Sequence, residues 1–434
     1  MKCERYNKQL VDFIKNSPTP FHVVENMKNS LNSAGFQSLN EQNSWNLKNG
    51  CGYYVTRNDS SIIAFILGSK DSTETGIRLI GAHTDSPCLK IKPEPEVVKN
   101  SYYQLGVEVY GGVLLNTWFD RDLSIAGKVN FKARHDGIKE TLINIKKPIA
   151  SIPSLAIHLN RNANNNHSIN PQTDILPILY GCDDTKNDFR EIIAQEIIMH
   201  LSPTLNLSEL SVMDYDLSLY DNQPPAIIGL KDEFLSSARL DNILSCFAGL
   251  QAILSSNKDV TSFLACYDHE EVGSTSNIGA NSSFMESLLN RIYVEPELRS
   301  RVIAKSMLIS TDNAHGVHPN FSNKHDKNHA PVINQGLVIK INANQRYATS
   351  SLTSSIIKDL CKQLDIPTQT FVNRADMTCG STIGPITAAN IGIRAIDVGV
   401  PTFAMHSIRE IAGVKDGHYL YKMLKAFIHT KRLL

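Results

Sequence analysis

Two adjacent carboxylates, Glu270 and Glu271, follow the apolar run Phe263-Leu264-Ala265-Cys266-Tyr267, and Gly273 closes the segment. An apolar run cut off by charges and a glycine predicts a buried strand emerging at a sheet edge. Successive strand residues point to opposite faces, so the pair predicts divided labour: one carboxylate on a metal, the other on a proton. A solvated acidic turn is the plain alternative. Four other stretches bring a ligand-type residue to the end of an apolar segment. Gly76 to Ala82 leads to His83 and Asp85, Ser237 to Leu240 to Asp241, Met307 to Thr311 to Asp312, and the strand Ala395 to Val398 precedes the segment with His406. Such strand ends are where open α/β sheets build their sites. An imidazole on a metal needs its second N–H held, which a carboxylate two residues on can do. A satisfied loop histidine remains the alternative for His83, and a helix N-cap the alternative for Asp241. Two histidines and several carboxylates suit a pair of divalent ions, zinc first, with manganese or cobalt also compatible. One carboxylate must bridge ions about 3.5–4 Å apart, and one left off the metals can take a proton from water. The chemistry so described is metal-assisted hydrolysis.

The chain has 434 residues, 42% of them apolar, enough for two domains or for one domain with a large insertion. Lys+Arg and Asp+Glu both number 43, so no net field draws the chain to nucleic acid or an anionic membrane. The first residues lack the apolar core of a signal peptide, and no apolar run is long enough to span a bilayer. Eight cysteines without C-x-x-C spacing, mostly in apolar stretches, predict free thiols in a reducing cytoplasm and no cysteine zinc site.

Helical spacing covers residues 5 to 33, broken at Ser17-Pro18-Thr19-Pro20, and strands are expected at Tyr53–Val55 and Ile62–Leu67. From about Pro93 the texture becomes β-branched and aromatic with turn signals, including Tyr102-Tyr103, Val107–Tyr110, Val113–Leu115 and Gly127–Phe131. One helix, Asp188–His200, and an asparagine-rich loop over 160–170 interrupt it. The expected organisation is a catalytic domain in two parts, 1–92 and 227–434, split by a mostly β insertion over 93–226. Lys340 sits inside the apolar strand Val338–Asn342, an uncommon place for a lysine; an edge strand with its amine in solvent is the plain alternative. Gly380-Ser381-Thr382-Ile383-Gly384-Pro385 is a tight loop leading into a helix, without the lysine of a phosphate loop. The histidines at 315, 318, 325 and 329 lie in a polar, asparagine-rich stretch that reads as a loop, with His315 and His318 placed to line a pocket.

The ordered motifs Gly81-Ala82-His83-Thr84-Asp85-Ser86-Pro87, Ser237-Ala238-Arg239-Leu240-Asp241-Asn242, Asp268-His269-Glu270-Glu271-Val272-Gly273-Ser274 and Thr311-Asp312-Asn313-Ala314-His315 resemble those of the M18 metallopeptidases, the aspartyl aminopeptidase family. So do Lys340, Gln345-Arg346-Tyr347-Ala348, Cys379 to Pro385 and Ala404-Met405-His406-Ser407-Ile408-Arg409-Glu410, so the likeness spans nearly the whole chain. The resemblance implies an α/β metallopeptidase domain with a central mixed sheet flanked by helices, interrupted by a β-rich dimerisation domain. It implies His83, Asp241 and Asp312 on one zinc ion, Asp241, Glu271 and His406 on the other, Glu270 as general base and Asp85 behind His83. Lys340 and Tyr347 would face an acidic N-terminal side chain of the peptide substrate, with His315 and Gly380 also on the substrate side. His158, in Leu155-Ala156-Ile157-His158-Leu159, matches a histidine of the inserted domain that would reach a neighbour's active site; a core histidine in an apolar run is its alternative. The implied assembly is a tetrahedral dodecamer with its sites facing an interior chamber. His269 departs from the asparagine of many relatives, leaving Glu270 and Glu271 in place. A dimetal deacylase or carboxypeptidase on the same fold is the competing enzyme, and a shell-forming or cargo protein the competing non-enzyme.

Overall fold

The computed structural model describes residues 1–133, 137–182, 188–201 and 206–433. They form two compact units, one of Met1–Ser86, Pro225–Met405 and Glu410–Leu434, the other of Pro87–Pro224 and His406–Arg409.

The first unit is built on a nine-stranded mixed sheet. Its spatial order is Gln37–Ser38, Gly52–Arg57, Ser61–Ile66, Ser262–Tyr267, Arg78–His83, Met307–Thr311, Arg394–Gly399, Leu337–Ile341 and Thr368–Val372. The four strands from Ser262–Tyr267 to Arg394–Gly399 run parallel, so their carboxyl ends share one edge. Parallel strands are covered on both faces, which is why they read as unbroken apolar runs. Within Ser262–Tyr267, Leu264 and Cys266 pack on one side against the helices Cys3–Lys15, Pro20–Ser33, Leu240–Leu254 and Asp416–His429. Phe263, Ala265 and Tyr267 pack on the other against Phe284–Ile292 and Ile383–Ile391. This is the central mixed sheet flanked by helices that the family resemblance implies. A five-stranded sheet, ordered Ala226–Ile228, Phe234–Ser237, Glu410–Gly413, Pro401–Phe403 and Ala314–His315, completes the unit.

Arg78, at the start of the strand that ends in His83, is fully buried. Its guanidinium donates to the carbonyl oxygens of Thr75, Thr430 and Lys431.

The second unit is an antiparallel six-stranded sheet, ordered Lys139–Asn144, Leu123–Ala133, Leu210–Asp221, Cys88–Lys99, Tyr102–Tyr110 and Ile178–Gly181. The helix Phe189–Leu201 contributes Phe189, Ile193 and Ile197 to its core. Within the apolar stretch Val113–Leu115 no strand forms; a 3₁₀ turn, Leu115–Trp118, begins at its end and buries Trp118. Among the described residues no disulfide joins the cysteines, and no helix is long and apolar enough to cross a membrane.

Candidate metal centre

The parallel strands deliver their ligands at one edge. His83 closes Arg78–His83, Asp312 follows Met307–Thr311, and Glu270 and Glu271 follow Ser262–Tyr267 after a short turn. Asp241 opens the helix Leu240–Leu254 with non-helical backbone, and the Asp241–Asn242 peptide is cis. Its carboxylate does not cap the helix but turns to His83. Glu410 in the smaller sheet accepts the Asp241 backbone N–H at 2.9 Å, Ser86 Oγ donates to the Asp241 carbonyl at 2.6 Å, and Asn242 Nδ2 donates to the Thr311 carbonyl.

His83 is the pivot. Its Nε2 lies 3.4 Å from Asp241 Oδ1 and 3.5 Å from Asp312 Oδ1, and its Nδ1 lies 3.3 Å from Asp85 Oδ1. Asp85 braces two neighbours at once, because its Oδ2 accepts the Glu271 backbone N–H at 3.1 Å. Cys246 Sγ donates to the His83 carbonyl from below. The donor atoms of His83, Asp241 and Asp312 all lie within 4.8 Å of one another, and so do those of His83, Glu270 and Glu271. Atoms bonded at ~2.1 Å to one tetrahedral zinc ion are separated by ~3.4 Å. The His83–Asp241 and His83–Asp312 spacings match that figure, so these donors fit a zinc ion.

The electrostatics point the same way. Burial disfavours a charged His83, yet Glu270, Asp241, Asp312 and Asp85 outweigh it and hold the imidazole pKa well above its ordinary value. Burial, with Asp312, Asp85 and Asp241 behind it, pushes Glu270 up to about 8 against the pull of His83. Burial and Asp241 likewise raise Glu271 well above the usual carboxylate range. Asp312 goes the other way: burial opposes its ionisation, but Lys340 and His83 prevail and hold it below the usual range. Crowded buried carboxylates of this kind need cations, which metal ions supply.

Several placements differ from those expected. The strand Ser262–Tyr267 is buried inside the sheet and ends at its carboxyl edge as expected, but Glu270-Glu271-Val272 is a 3₁₀ turn. Left-handed His269 turns the chain before it, so Glu270 and Glu271 both face His83 instead of opposite sides. Lys340 is not on an edge strand. It is 2% exposed, and its ammonium donates to Asp312 Oδ2 at 3.1 Å and the Asn313 carbonyl at 2.9 Å. Tyr347 lies beside it, with Lys340 Nζ 5.2 Å from the ring centroid. Phe371 is packed edge-on by Tyr347, His315 and His325, while His318 caps the turn Pro319–Lys324 and His329 pairs with Asp326. Gly380 lies exposed in the loop before the helix Ile383–Ile391. Within the second unit, His406 Nδ1 faces the Gly112 carbonyl at 3.0 Å. His158 is no core histidine: it lies on an exposed turn flanked by Leu155, Ile157 and Leu159, all at least 49% exposed. Sequence reasoning missed Glu410, which nothing local to its strand marks and which the smaller sheet brings to the Asp241 backbone.

The family model described as Aminopeptidase I zinc metalloprotease (M18) matches residues 13–428. The chain is 52% identical over 432 residues to a probable M18 family aminopeptidase 2 of Pseudomonas syringae pv. tomato, covering 99% of each chain. It is 51% identical over 428 residues to the protein so described in Pseudomonas aeruginosa (strain UCBPP-PA14), covering 98% of this chain and 99% of that one. Among solved structures, a chain of the cryo-EM Ape4 and Nbr1 complex superposes with a TM-score of 0.94 at 38% identity, over 98% of this chain and 86% of that one. The S. cerevisiae mApe1 dodecamer gives 0.83 at 30% identity, over 97% and 95%.

Proposed function

The chain belongs to the M18 family of zinc aminopeptidases, and on that footing we propose that it removes N-terminal Asp and Glu residues from peptides, with Glu270 as general base. The observation that carries this reading is the convergence of His83, Asp241, Asp312, Glu270 and Glu271 at one sheet edge. His83, Asp241 and Asp312 would hold one zinc ion; Asp241, as the bridge, would share the second with Glu271 and, following the family resemblance, His406. Zinc, when bound, polarises the scissile carbonyl and makes water acidic enough to lose a proton near neutrality. Glu270 takes that proton and passes it to the departing amine, a transfer suited to a carboxyl whose burial raises its pKa towards neutrality. Asp85 fixes the His83 tautomer and holds the turn that carries Glu271. Lys340 keeps Asp312 ionised, and its third ammonium hydrogen is the one offered to an acidic substrate side chain. Tyr347, His315 and Gly380 stand on that substrate side.

The same reading has the chain cytoplasmic and assembled as a large homo-oligomer, as the mApe1 dodecamer relative is, with His158 on its exposed turn reaching a neighbouring subunit. The test of the chemistry is Glu270→Gln assayed on peptides with free and acetylated N-termini. Zinc content should hold while turnover of free-amine peptides falls roughly 10²–10⁴-fold. Near-normal turnover would remove Glu270 from the base role. Preference for acetylated peptides in the unmodified enzyme would point instead to a deacylase.

A further inference from the structure

Asp397 lies mid-strand in Arg394–Gly399, is fully buried, and takes no part in the chemistry above. Its neighbours across the sheet are Ser310 on one side and Lys340 on the other. Directly opposed residues point to the same face, so Asp397 shares a face with Lys340. Its two oxygens bind two different segments. Thr382 Oγ1 donates to Oδ1 at 2.6 Å, and the Ala348 backbone N–H donates to Oδ2 at 2.6 Å. Its own N–H donates to Thr349 Oγ1. Glycine is needed at 384, where a Cβ would stand 2.5 Å from Oδ2 and 2.6 Å from Oδ1. The carboxylate thus sits at the amino end of the helix Ile383–Ile391, where the helix dipole favours a negative charge.

Both clamped segments carry substrate-side residues. Ala348 follows Tyr347, whose ring covers Lys340, and Thr382 closes the loop containing Gly380. Ser381 Oγ also donates to the Arg346 carbonyl, so the two segments are stitched together above the carboxylate. We propose that Asp397 is a positioning residue for substrate: by clamping Tyr347-Ala348 and the loop Gly380–Thr382 beside Lys340, it sets the wall of the pocket that receives the N-terminal side chain. This rests on the substrate-side assignment of Lys340 and Tyr347 made above. Acting through two hydrogen bonds and not through the metals, Asp397 governs KM and selectivity more than turnover.

Three variants of the zinc-loaded enzyme test it: Asp397→Ala, Thr382→Val and Asp397→Asn. Asparagine can accept the Ala348 N–H through Oδ1 and donate to Thr382 Oγ1 through Nδ2, so it keeps the clamp without the charge. Asp397→Ala and Thr382→Val are expected to raise KM for Glu peptides roughly tenfold or more, with kcat and zinc content close to the parent values. Asp397→Asn should recover most of that loss. An unchanged KM in Thr382→Val, or zinc loss in step with activity in Asp397→Asn, would overturn the proposal. Those two variants decide the matter even where Asp397→Ala does not fold. KM is read on Leu peptides in parallel, so an enzyme without acidic preference still reports on the wall, and the general-base reading stands or falls separately on the turnover of Glu270→Gln.

Discussion

Lys340 has two of its three ammonium donors committed, to Asp312 and to the Asn313 carbonyl. A lysine in an apolar strand could be read from the sequence as unusual, but not as paired, because its partner lies 28 positions away, just past the end of a strand whose place in the sheet is set by the fold. Lys340→Met should weaken zinc retention, since Asp312 loses the cation that keeps it ionised. It should also cut kcat/KM for Glu peptides about 10- to 150-fold more than for Leu peptides, the worth of one charge-assisted contact. An unchanged Glu-to-Leu ratio in steady-state assays would assign the lysine wholly to Asp312. Glu270 makes a second expectation, in the zinc-free protein. Its carboxyl is raised from 4.5 to about 8, so it favours folding below the unfolded value and ceases to do so as pH rises through about 8. Zinc-free Glu270→Gln has no such titration and should gain in Tm over the zinc-free parent between about pH 5 and pH 8.5. Parallel Tm curves for the two proteins would mean that this carboxyl titrates at an ordinary value.

At the scale of elements, the central strands were legible because both faces of a parallel strand are buried, which leaves unbroken apolar runs ending in a ligand. His83 and Asp312 could be picked out on that pattern, and the structure brings them, with Asp241 at the start of its helix, within one donor cluster. The 3₁₀ turn at Glu270–Val272 was not legible: it depends on left-handed His269, whose ring meets Ser276 Oγ at 2.9 Å and whose backbone N–H donates to Asp268. The strand Ser262–Tyr267 and the helix Leu240–Leu254, which carry Glu270 and Asp241 between them, meet in the core around Leu264. Leu264→Ala should therefore cost about 2–5 kcal/mol in urea unfolding of the zinc-loaded protein. A loss below about 1 kcal/mol would show that helix and strand close over the missing side chain.

For the whole molecule, the change of texture near Pro93 was visible in the sequence because β-branched and aromatic residues between turn signals suit short strands. The described unit begins at Pro87 and recruits His406–Arg409 from far along the chain, which no reading of local texture could show. Leu155, Ile157 and Leu159 stand exposed on one turn of that unit. Exposed apolar side chains gathered on a turn suit burial against another copy. Light scattering of the purified protein should give a mass many times the 48.2 kDa of one chain. A monomeric mass with full activity would remove both the assembly and the reach of His158.

Arg78 gives the molecule a timetable. Its buried guanidinium is satisfied by the carbonyls of Thr430 and Lys431, at the far end of the sequence from the strand it opens. During synthesis, every candidate ligand through His406 can leave the ribosome while that arginine has the Thr75 carbonyl but still lacks those of Thr430 and Lys431. The strand that presents His83 is therefore sealed only once residues 430 and 431 have emerged, well after the last of its candidate ligands has been made.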